Sequence, residues 1–259
     1  MNFEDRESLY PGRFYVTDSN GDRFYLTLQR ADSPVKPGTP LNAATFNAMV
    51  RSVTARNLLD NTNFAAPVNQ RGGSVYSGAA QYTIDRWKST AKLDVSVDDG
   101  YLTVSCAKDA TARNGLSQYI APEKTPEPGT AITVAYEDGS GNVYVDSGVI
   151  PESGTLSLFG SSGVGVNYYG TEHPARISIM VPPDTTADFL WIALYEGEFN
   201  KDTVPEYQPK DYAAELMECM RYYQLRSTGD IKAVDLRPTM RDDPTITKAG
   251  GNYAYSADF

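Results

Sequence analysis

The 259-residue chain has few of the side chains from which metal sites and catalytic centres are usually built. It contains two cysteines, Cys106 and Cys219, and one histidine, His173. These three side chains cannot form a zinc site unless carboxylates complete it. The cysteines fall on a predicted strand and a predicted helix, where we expect small buried apolar groups. A disulfide is the less favoured alternative. A hydrolase triad based on His173 is disfavoured because no Gly-x-Ser-x-Gly motif accompanies it.

Positive charge is also scarce. The chain has 23 Lys and Arg against 33 Asp and Glu, a formal net charge of -10 and a sequence pI of about 4.6. This balance disfavours nucleic acid, which is bound by clustered Lys and Arg, and an anionic membrane surface. No apolar run approaches the roughly 18 residues of a membrane span. The acidic start MNFEDRESLY lacks the basic and apolar regions of a signal peptide, so we expect synthesis in the cytosol.

Carboxylate pairs suited to acid–base catalysis are not evident. Asp98–Asp99 and Asp242–Asp243 are neighbours in sequence. Neighbouring residues on a strand point to opposite faces, whereas the two carboxylates of a glycosidase must converge. The stretch GSSGVGVNYYG lacks the Lys-Ser/Thr and the strand-to-helix context of a phosphate loop. The sequence therefore predicts no enzyme and no metal or cofactor, although carboxylates converging from separate strands would escape this reasoning.

The most regular pattern in the chain is alternation of apolar and polar residues in short runs. The apolar positions are Leu102, Val104 and Cys106; Ile132, Val134 and Tyr136; Ile177, Ile179 and Val181; and Leu190, Ile192 and Leu194. A period of two predicts strands with one buried face. Turn clusters such as EDGSGN and PESG separate the runs. With no βαβ alternation, we expect a mainly β chain folded as an antiparallel β-sandwich of the jelly-roll kind.

The first 55 residues predict a small hairpin-plus-helix segment. RFYVTDSNGDRFYLTLQ gives two β-rich runs around Asn20-Gly21, a strong hairpin signal. A calcium loop through Asp18, Asn20 and Asp22 is disfavoured because its remaining ligands are missing. After the connector SPVKPGTP comes a short helix, too short to be stable without a partner surface. Its candidate apolar contacts are Leu41, Phe46, Met49 and Val53. The predicted division of the chain is 1–55, 56–226 and 227–259.

A single short helix is predicted near the end of the sandwich, in YQPKDYAAELMECMRYYQ. Pro209 and Asp211 mark its start. The side expected to pack on the sandwich edge carries Ala213, Leu216, Met217, Met220 and Gln224. The side expected to face water carries Glu215, Glu218 and Arg221. After the helix, IKAVDLRPTMRDDPTIT predicts two short strands, and GGNYAYSADF predicts a third strand or a tail.

Three phrases of the sequence together resemble bacteriophage and prophage tail proteins. RADSPVKPGTPLNAATFN is similar to their N-terminal attachment segment. RNLLDNTNF followed by YTIDRW resembles the opening of the sandwich modules of tail fibres, where a Trp after an Asp-Arg pair enters the core. The helix with Glu-Leu, Cys and Arg-Tyr-Tyr, followed by PTMRDDPTIT, resembles their closing phrase. The order of the phrases is more specific than any one of them.

The resemblance implies a structural virion protein of the tail fibre, tail tip or baseplate, made in the host bacterial cytoplasm. Its N-terminus would dock on other tail or baseplate proteins, and the assembly would be a homotrimer that contributes to host attachment. Candidate attachment residues are Pro40, Leu41, Asn42, Phe46 and Met49. The resemblance carries over no catalytic residue.

Aromatic residues leave an alternative function open. The chain has 18 Tyr against nine Phe, and tyrosines either stabilise β edges and interfaces or stack on sugars. The candidate glycan-binding residues are Tyr76, Tyr82, Tyr119, Tyr168 and Tyr169. Trp87 is expected in the core. Trp191 is likewise expected in the core and not as a sugar platform; the alternative, from its alternation with Ile192, is the opposite side of the strand, where a partner subunit could cover it. A carbohydrate-binding module recognising a cell-surface glycan is therefore the second hypothesis.

Overall fold

The computed structural model divides the chain into two compact units, Met1–Thr54 and Ala55–Phe259. In the first unit it describes the backbone of residues 13–17 and 23–27. In the second it describes residues 55–98, 100–111, 114–160, 164–168, 175–229 and 236–259. The strands on both sides of position 226, where the sequence predicts a boundary, belong to the same unit and share one sheet.

The first unit contains the predicted hairpin strands. β1 (Arg13–Thr17) and β2 (Arg23–Thr27) pair antiparallel, with Arg13 opposite Thr27 and Thr17 opposite Arg23. The Asn20-Gly21 turn, the disfavoured calcium loop and the short helix lie outside the described residues. The five candidate attachment residues lie outside them as well: Pro40, Leu41, Asn42, Phe46 and Met49.

Most of the regular secondary structure described in the second unit is β-strand. The strands are β3 (Val75–Tyr76), β4 (Gln81–Tyr82), β5 (Lys88–Ser89), β6 (Leu93–Asp98), β7 (Tyr101–Cys106), β8 (Asn114–Tyr119), β9 (Ala131–Asp138), β10 (Val143–Val149), β11 (Gly154–Leu158), β12 (Val164–Tyr168), β13 (Arg176–Val181), β14 (Thr186–Glu196), β15 (Tyr223–Arg226), β16 (Thr245–Ala249) and β17 (Asn252–Ser256). A 3₁₀ turn at Pro122–Lys124 and helix α1 (Tyr212–Met220) interrupt them.

Two six-stranded antiparallel sheets form a β-sandwich, as the sequence predicts. The first sheet has the order β10-β9-β14-β7-β6-β3, and the second has the order β11-β12-β13-β8-β5-β4. The chain passes from one sheet to the other at each of the connections β3–β4, β5–β6, β7–β8, β8–β9, β10–β11 and β13–β14. A separate three-stranded sheet, β15-β17-β16, follows helix α1, so the final stretch GGNYAYSADF forms a strand there.

The core lies between the two sheets. Strand β7 alternates as predicted, with Leu102, Val104 and Cys106 buried. Trp87 is fully buried and meets Phe64 edge-on, with ring centroids 5.6 Å apart. Burying a side chain of this size contributes roughly 1.5–3 kcal/mol. Because every strand of a sandwich offers alternate residues to the same interior, the period-two pattern in the sequence specifies this core directly.

The outer face of the first sheet is also covered, by the segment after β14. Thr133 and Ala135 on β9 are buried there beneath Phe199. Trp191 is not in the main core; it takes the alternative placement, on the opposite side of its strand, and stacks on Tyr207 with ring centroids 4.5 Å apart. The surface that a partner subunit could cover is therefore occupied by the chain's own Tyr207.

Helix α1 begins as predicted but presents a different face to the protein. The Asp211 carboxylate accepts hydrogen bonds from the amides of Ala213 and Ala214, which caps the helix. The prediction that Glu215 faces water is wrong, because Glu215 is buried. The prediction that Met217 packs on the sandwich is also wrong, because Met217 is 51% exposed. The reason is that this helix packs against cationic groups, described below, rather than against an apolar surface.

Two smaller predictions concern the cysteines and the helices. Cys106 and Cys219 are buried and free, as expected for small apolar groups. Within the described part of the chain, no helix has the length and apolar character needed to cross a bilayer.

Candidate functional site

Two of the phrases that carry the resemblance meet around a single asparagine. Asn61, from NLLDNTNF, has a left-handed backbone with φ of 52°, which asparagine tolerates well. Its side-chain amide donates to the carbonyls of Val68 and Asp85, and its Oδ1 accepts from the Val68 amide. The Trp87 indole, from YTIDRW, donates to the Asn61 carbonyl at 2.8 Å. The two phrases are thus hydrogen-bonded to each other inside the sandwich.

A buried charge cluster lies beside this junction. We call its six members the Asp60 cluster: Asp60, Arg86, Lys124, Lys210, Glu215 and Glu218. The carboxylate of Asp60 is at its centre, and the residue is 2% exposed. It accepts from Arg86 Nε at 3.2 Å, Lys124 Nζ at 2.6 Å and Lys210 Nζ at 3.2 Å. Three cationic groups from separate parts of the chain therefore converge on one carboxylate.

Arg86 connects the cluster to the second sheet and to the end of α1. It donates through Nη2 to the carbonyl of Tyr119, the last residue of β8, at 2.7 Å. Its guanidinium lies 3.4 Å from the ring centroid of Tyr222, within the range of a cation–π contact. A planar guanidinium can make these contacts together, which a lysine ammonium cannot. Arg86 thus fixes Asp60, β8 and the Arg-Tyr-Tyr phrase in one arrangement.

The lysines connect helix α1 to the same centre. Lys210, just before the helix, contacts Glu215 at 3.4 Å and Glu218 at 3.2 Å as well as Asp60. Lys124, in the 3₁₀ turn, contacts Glu218 at 2.6 Å. This is why α1 buries an acidic side, since its glutamates are partners for lysines that already face Asp60.

Three carboxylates in the Asp60 cluster approach one another closely enough to suggest a metal site: Asp60, Glu215 and Glu218. Their charges are matched by three cations, namely Arg86, Lys124 and Lys210. A metal ion would have to compete with ammonium groups already in contact with the carboxylate oxygens. The donor set therefore suits a charge-balanced structural cluster and does not suit a bound cation.

Electrostatics agree with this balance. Burial opposes ionisation of Asp60, but Arg86 and the two lysines outweigh burial and hold the pKa of its carboxyl well below the usual range. Burial likewise opposes the charge on Lys210, but its three carboxylate neighbours raise the pKa of its ammonium. Both groups are therefore charged at neutral pH.

A second set of buried charges surrounds Arg71. We call Arg71, Asp85, Asp258, Tyr82, Tyr223 and Gln70 the Arg71 cluster. The Arg71 guanidinium lies over the Tyr223 ring, 3.8 Å from its centroid, and 4.9 Å from the Tyr82 centroid. It contacts Asp258 at 2.5 Å, but Asp85 only at 3.7 Å. Gln70 donates to Asp85 Oδ2 at 2.8 Å.

This second cluster is less completely paired. Asp85 Oδ1, Asp258 Oδ1 and Arg71 Nε are buried and make no hydrogen bond to the described residues. Burial raises the pKa of Asp85 to about 6, despite the hydrogen bonds from Gln70 and the nearby Arg71.

An open cleft of about 400 Å³ lies at the other end of β13 from the Asp60 cluster. β13 begins at Arg176, which pairs with Tyr119 beside Arg86, and it ends at Val181, which lines the cleft. The cleft lies between the two sheets, with β9 and β14 on one side and β12 and β13 on the other. We call it the aromatic cleft, and the residues used below are Tyr136, Asp138, Tyr144, Asp188 and Phe189.

Of the five tyrosines that the sequence suggests for glycan binding, the four that the structure describes do not line this cleft. Tyr76 and Tyr168 are buried in the sandwich core. The Tyr82 hydroxyl donates to the Phe259 carbonyl at 2.7 Å, and the Tyr119 ring lies 5.4 Å from the Phe259 ring. Tyr82 and Tyr119 are thus brought together around Phe259. Tyr169 is outside the described residues.

The described residues among those considered for catalysis, Asp98, Asp242 and Asp243, lie in different parts of the fold. Asp98 ends β6 in the first sheet, whereas Asp242 and Asp243 are exposed just before β16. His173 and Asp99 lie outside the described residues.

Sequence reasoning overlooked most of the residues that the fold brings together. Asp60 and Arg86 belong to the phrases that carry the resemblance, but those phrases assign a core position only to Trp87 and no role to the two charged residues. Lys124 and Lys210 carried no signal, because a lysine near a turn usually faces water. For the cleft, a weak signal existed: Tyr136 and Tyr144 flank the turn EDGSGN at positions that become opposite in a hairpin.

Comparison of the chain with protein-family models, curated proteins and solved structures finds no match.

Proposed function

We propose that this chain is a structural component of a bacteriophage tail, in the fibre, tip or baseplate, that docks through its N-terminal segment and contributes to host attachment. The observation that carries the proposal is spatial. NLLDNTNF, YTIDRW and the helix phrase are separate in sequence, yet they meet through Asp60, Arg86 and Lys210. If the sequence segments that carry the resemblance specify one folded module, they are expected to contact one another in the structure.

The character of the Asp60 cluster supports a structural role. Six charged side chains close the sandwich against α1, and within the described residues each contacts an oppositely charged member. Because these charged groups form ion pairs with one another, the arrangement favours a structural role over a catalytic one. Met1–Thr54 is a compact unit by itself, which is compatible with an N-terminal docking segment.

The first experiment is immunogold labelling of tailed particles from the bacterium that carries the gene, with an antibody to the full-length chain. Labelling at the tail is the expected result. Labelling only of free protein, with tails unlabelled, would contradict the proposal. Deletion of residues 1–54 tests the docking segment, since the truncated chain should be missing from particles. A tryptophan fluorescence melt of the truncated chain shows whether the sandwich still folds.

The solution mass tests the expected assembly. One chain is 28.4 kDa, and light scattering on the full-length protein should give three times this mass if the chain trimerises by itself. A monomer would leave two alternatives: either the chain trimerises only on the tail, or it is a free carbohydrate-binding module, which a glycan screen would test.

A further inference from the structure

The aromatic cleft contains a flat ring that the protein leaves uncovered. Tyr144 is 41% exposed, although its neighbours are packed aromatics. One face of its ring stacks on Tyr136, with centroids 4.9 Å apart and an angle of 18° between the planes. Tyr136 in turn meets the edges of Phe159 and Phe189. The inner three rings therefore hold Tyr144 from one side.

The orientation of the Tyr144 ring is fixed by its hydroxyl. Tyr144 donates to Asp138 Oδ2 at 3.0 Å. Asp138 is itself held by the turn, because its Oδ1 accepts from the amides of Ser140 and Asn142 at 2.9 Å. A ring that is stacked, hydrogen-bonded and based on a fixed carboxylate is preorganised, so little conformational entropy is lost when a ligand packs on it.

Acceptor groups lie beside this ring. Asp188 lines the cleft and accepts from Thr103 through Oδ1 at 2.6 Å, an arrangement that fixes its carboxylate. The hairpin turn passes close by, since a Cβ on Gly139 would lie 2.9 Å from Asp188 Cβ. Glycine at this position lets Asp138 and Asp188 line the same cleft. The Asp188 carboxylate can accept further hydrogen bonds from hydroxyl groups of a ligand, whereas both oxygens of Asp138 already accept two hydrogen bonds within the hairpin.

These features favour one class of ligand over two others. Carboxylates at the rim, in a chain of net charge -10, repel phosphates and acidic sugars. A quaternary ammonium ligand is normally enclosed by several aromatic faces, whereas the cleft offers the single outer face of Tyr144. A neutral sugar ring presents C–H groups to an aromatic face and hydroxyl donors to carboxylates. The cleft volume of about 400 Å³ is within the range of roughly 300–1,000 Å³ that is typical of small-ligand sites.

We propose that the aromatic cleft binds a neutral saccharide, with the sugar ring stacked on Tyr144 and a hydroxyl group donating to Asp188. Only the biological setting of this inference, a glycan on the host surface, rests on the proposed function. The binding itself belongs to the sandwich unit and is measurable on the purified chain.

The test is titration of the full-length protein with glucose, galactose, mannose and N-acetylglucosamine and their short oligomers, followed by saturation-transfer NMR and calorimetry. Glucuronate is the matched anionic probe, because it differs from glucose by one carboxylate, and choline is the cationic probe. We expect at least one neutral saccharide to bind and its acidic counterpart to bind about tenfold more weakly. Absence of binding by every neutral saccharide would overturn the proposal, as would preferential binding of glucuronate or choline.

Variants locate the binding in the cleft. Tyr144→Ala should weaken saccharide binding about tenfold, and Asp188→Asn should weaken it less. Tyr144→Phe retains the ring and should retain most of the affinity. The matched control is Tyr212→Ala, which removes a tyrosine that is 54% exposed on helix α1 and should leave binding unchanged. Equal affinity of wild type and Tyr144→Ala would place the saccharide elsewhere and overturn the assignment.

The two proposals fail separately. If a neutral saccharide binds through Tyr144 but tails are not labelled, the tail function fails and the binding site stands. If tails are labelled but no neutral saccharide binds, the binding site fails and the tail function stands.

Discussion

Asp60 and Asp85 are buried to almost the same extent and each has an arginine nearby, yet the pKa of Asp60 is lowered and the pKa of Asp85 is raised to about 6. The difference lies in their partners. Asp60 contacts one guanidinium and two ammonium groups within 3.2 Å. Asp85 faces Arg71 at 3.7 Å and shares this cation with Asp258.

At these two sites the number and distance of cationic partners, more than the extent of burial, determine whether the pKa of the buried carboxyl is lowered or raised. Removing a carboxylate from water costs several kcal/mol, and this cost is similar at both sites. Only in the Asp60 cluster do close cations outweigh it. We therefore expect the ionised carboxylate of Asp60 to increase the free energy of unfolding. We expect ionisation of Asp85, which occurs as the pH rises, to decrease the free energy of unfolding.

The largest expected effect is from Asp60→Asn. The substitution keeps the shape of the side chain but leaves three cations facing two carboxylates in a buried place. Breaking a buried ion pair in this way costs about 3–5 kcal/mol. Urea unfolding followed by tryptophan fluorescence measures the loss, and the chain's two tryptophans, Trp87 and Trp191, both lie in the sandwich unit.

The matched control for this substitution is Asp109→Asn. Asp109 forms an ion pair with Lys92, but both side chains are at least half exposed, so the unfolding midpoint should not change measurably. A similar loss of unfolding free energy in the two variants would show that the Asp60 cluster contributes no more to stability than an exposed ion pair.

The next effect concerns pH and Asp85→Asn. Because the folded pKa of Asp85 is about 6 and the reference value is 3.8, the native state keeps a proton that the unfolded state has lost between these values. The contribution of Asp85 to the free energy of unfolding therefore falls as the pH rises from about 4 to 6, by at most about 3 kcal/mol. Asp85→Asn should remove this slope.

Urea unfolding of wild type and Asp85→Asn at several pH values between 4 and 7 makes this measurement. Asp60 has the opposite sign, since its pKa is lowered in the folded state, and its contribution is lost only as the pH falls below about 4. Asp109→Asn should keep the wild-type slope in the upper window. Parallel curves for wild type and Asp85→Asn would refute the role given to Asp85.

A smaller effect is expected from the lysines of the Asp60 cluster. Their side chains are 22% exposed at Lys124 and 28% exposed at Lys210, so water screens part of each interaction. We expect Lys124→Ala and Lys210→Ala each to cost about 1–2 kcal/mol. Since both lysines contact Asp60 and Glu218, the double variant should be non-additive by at least about 0.5 kcal/mol. Strict additivity in urea unfolding would show that the lysines act independently.

The smallest effect on stability is expected in the aromatic cleft. Tyr144 is exposed and packs on one side only, so Tyr144→Ala should leave the urea midpoint close to that of wild type. The same variant should lose saccharide binding, which would separate a binding residue from the structural charge clusters. A large fall in the midpoint would assign Tyr144 a structural role instead.

The sandwich was predictable because its signal is local. Alternation at Leu102, Val104 and Cys106 needs only a pleated strand and one buried side, and the structure confirms it. The cap at Asp211 was predictable for the same reason, since a cap depends on residues two or three positions away.

The faces of helix α1 could not be predicted in this way. Helical spacing places Met217 among the apolar positions, and solvent is the usual surrounding of Glu215 and Glu218. This reasoning takes the partner surface to be apolar. Here the partners of the two glutamates are Lys124 and Lys210, which also contact Asp60. Asp60 and Lys124 are far from the helix in sequence, so no local pattern predicts these contacts.

Composition and short-range pattern thus determined that the chain is acidic, mainly β and closed by one capped helix, because each of these properties depends on residues close together in sequence. The tertiary structure decided which charges are buried together, that Tyr76 and Tyr168 enter the core, and that Tyr144 remains open beside Asp138 and Asp188. The physical reason is that electrostatic pairing and cleft formation depend on distances of a few ångströms between residues brought together from distant parts of the chain.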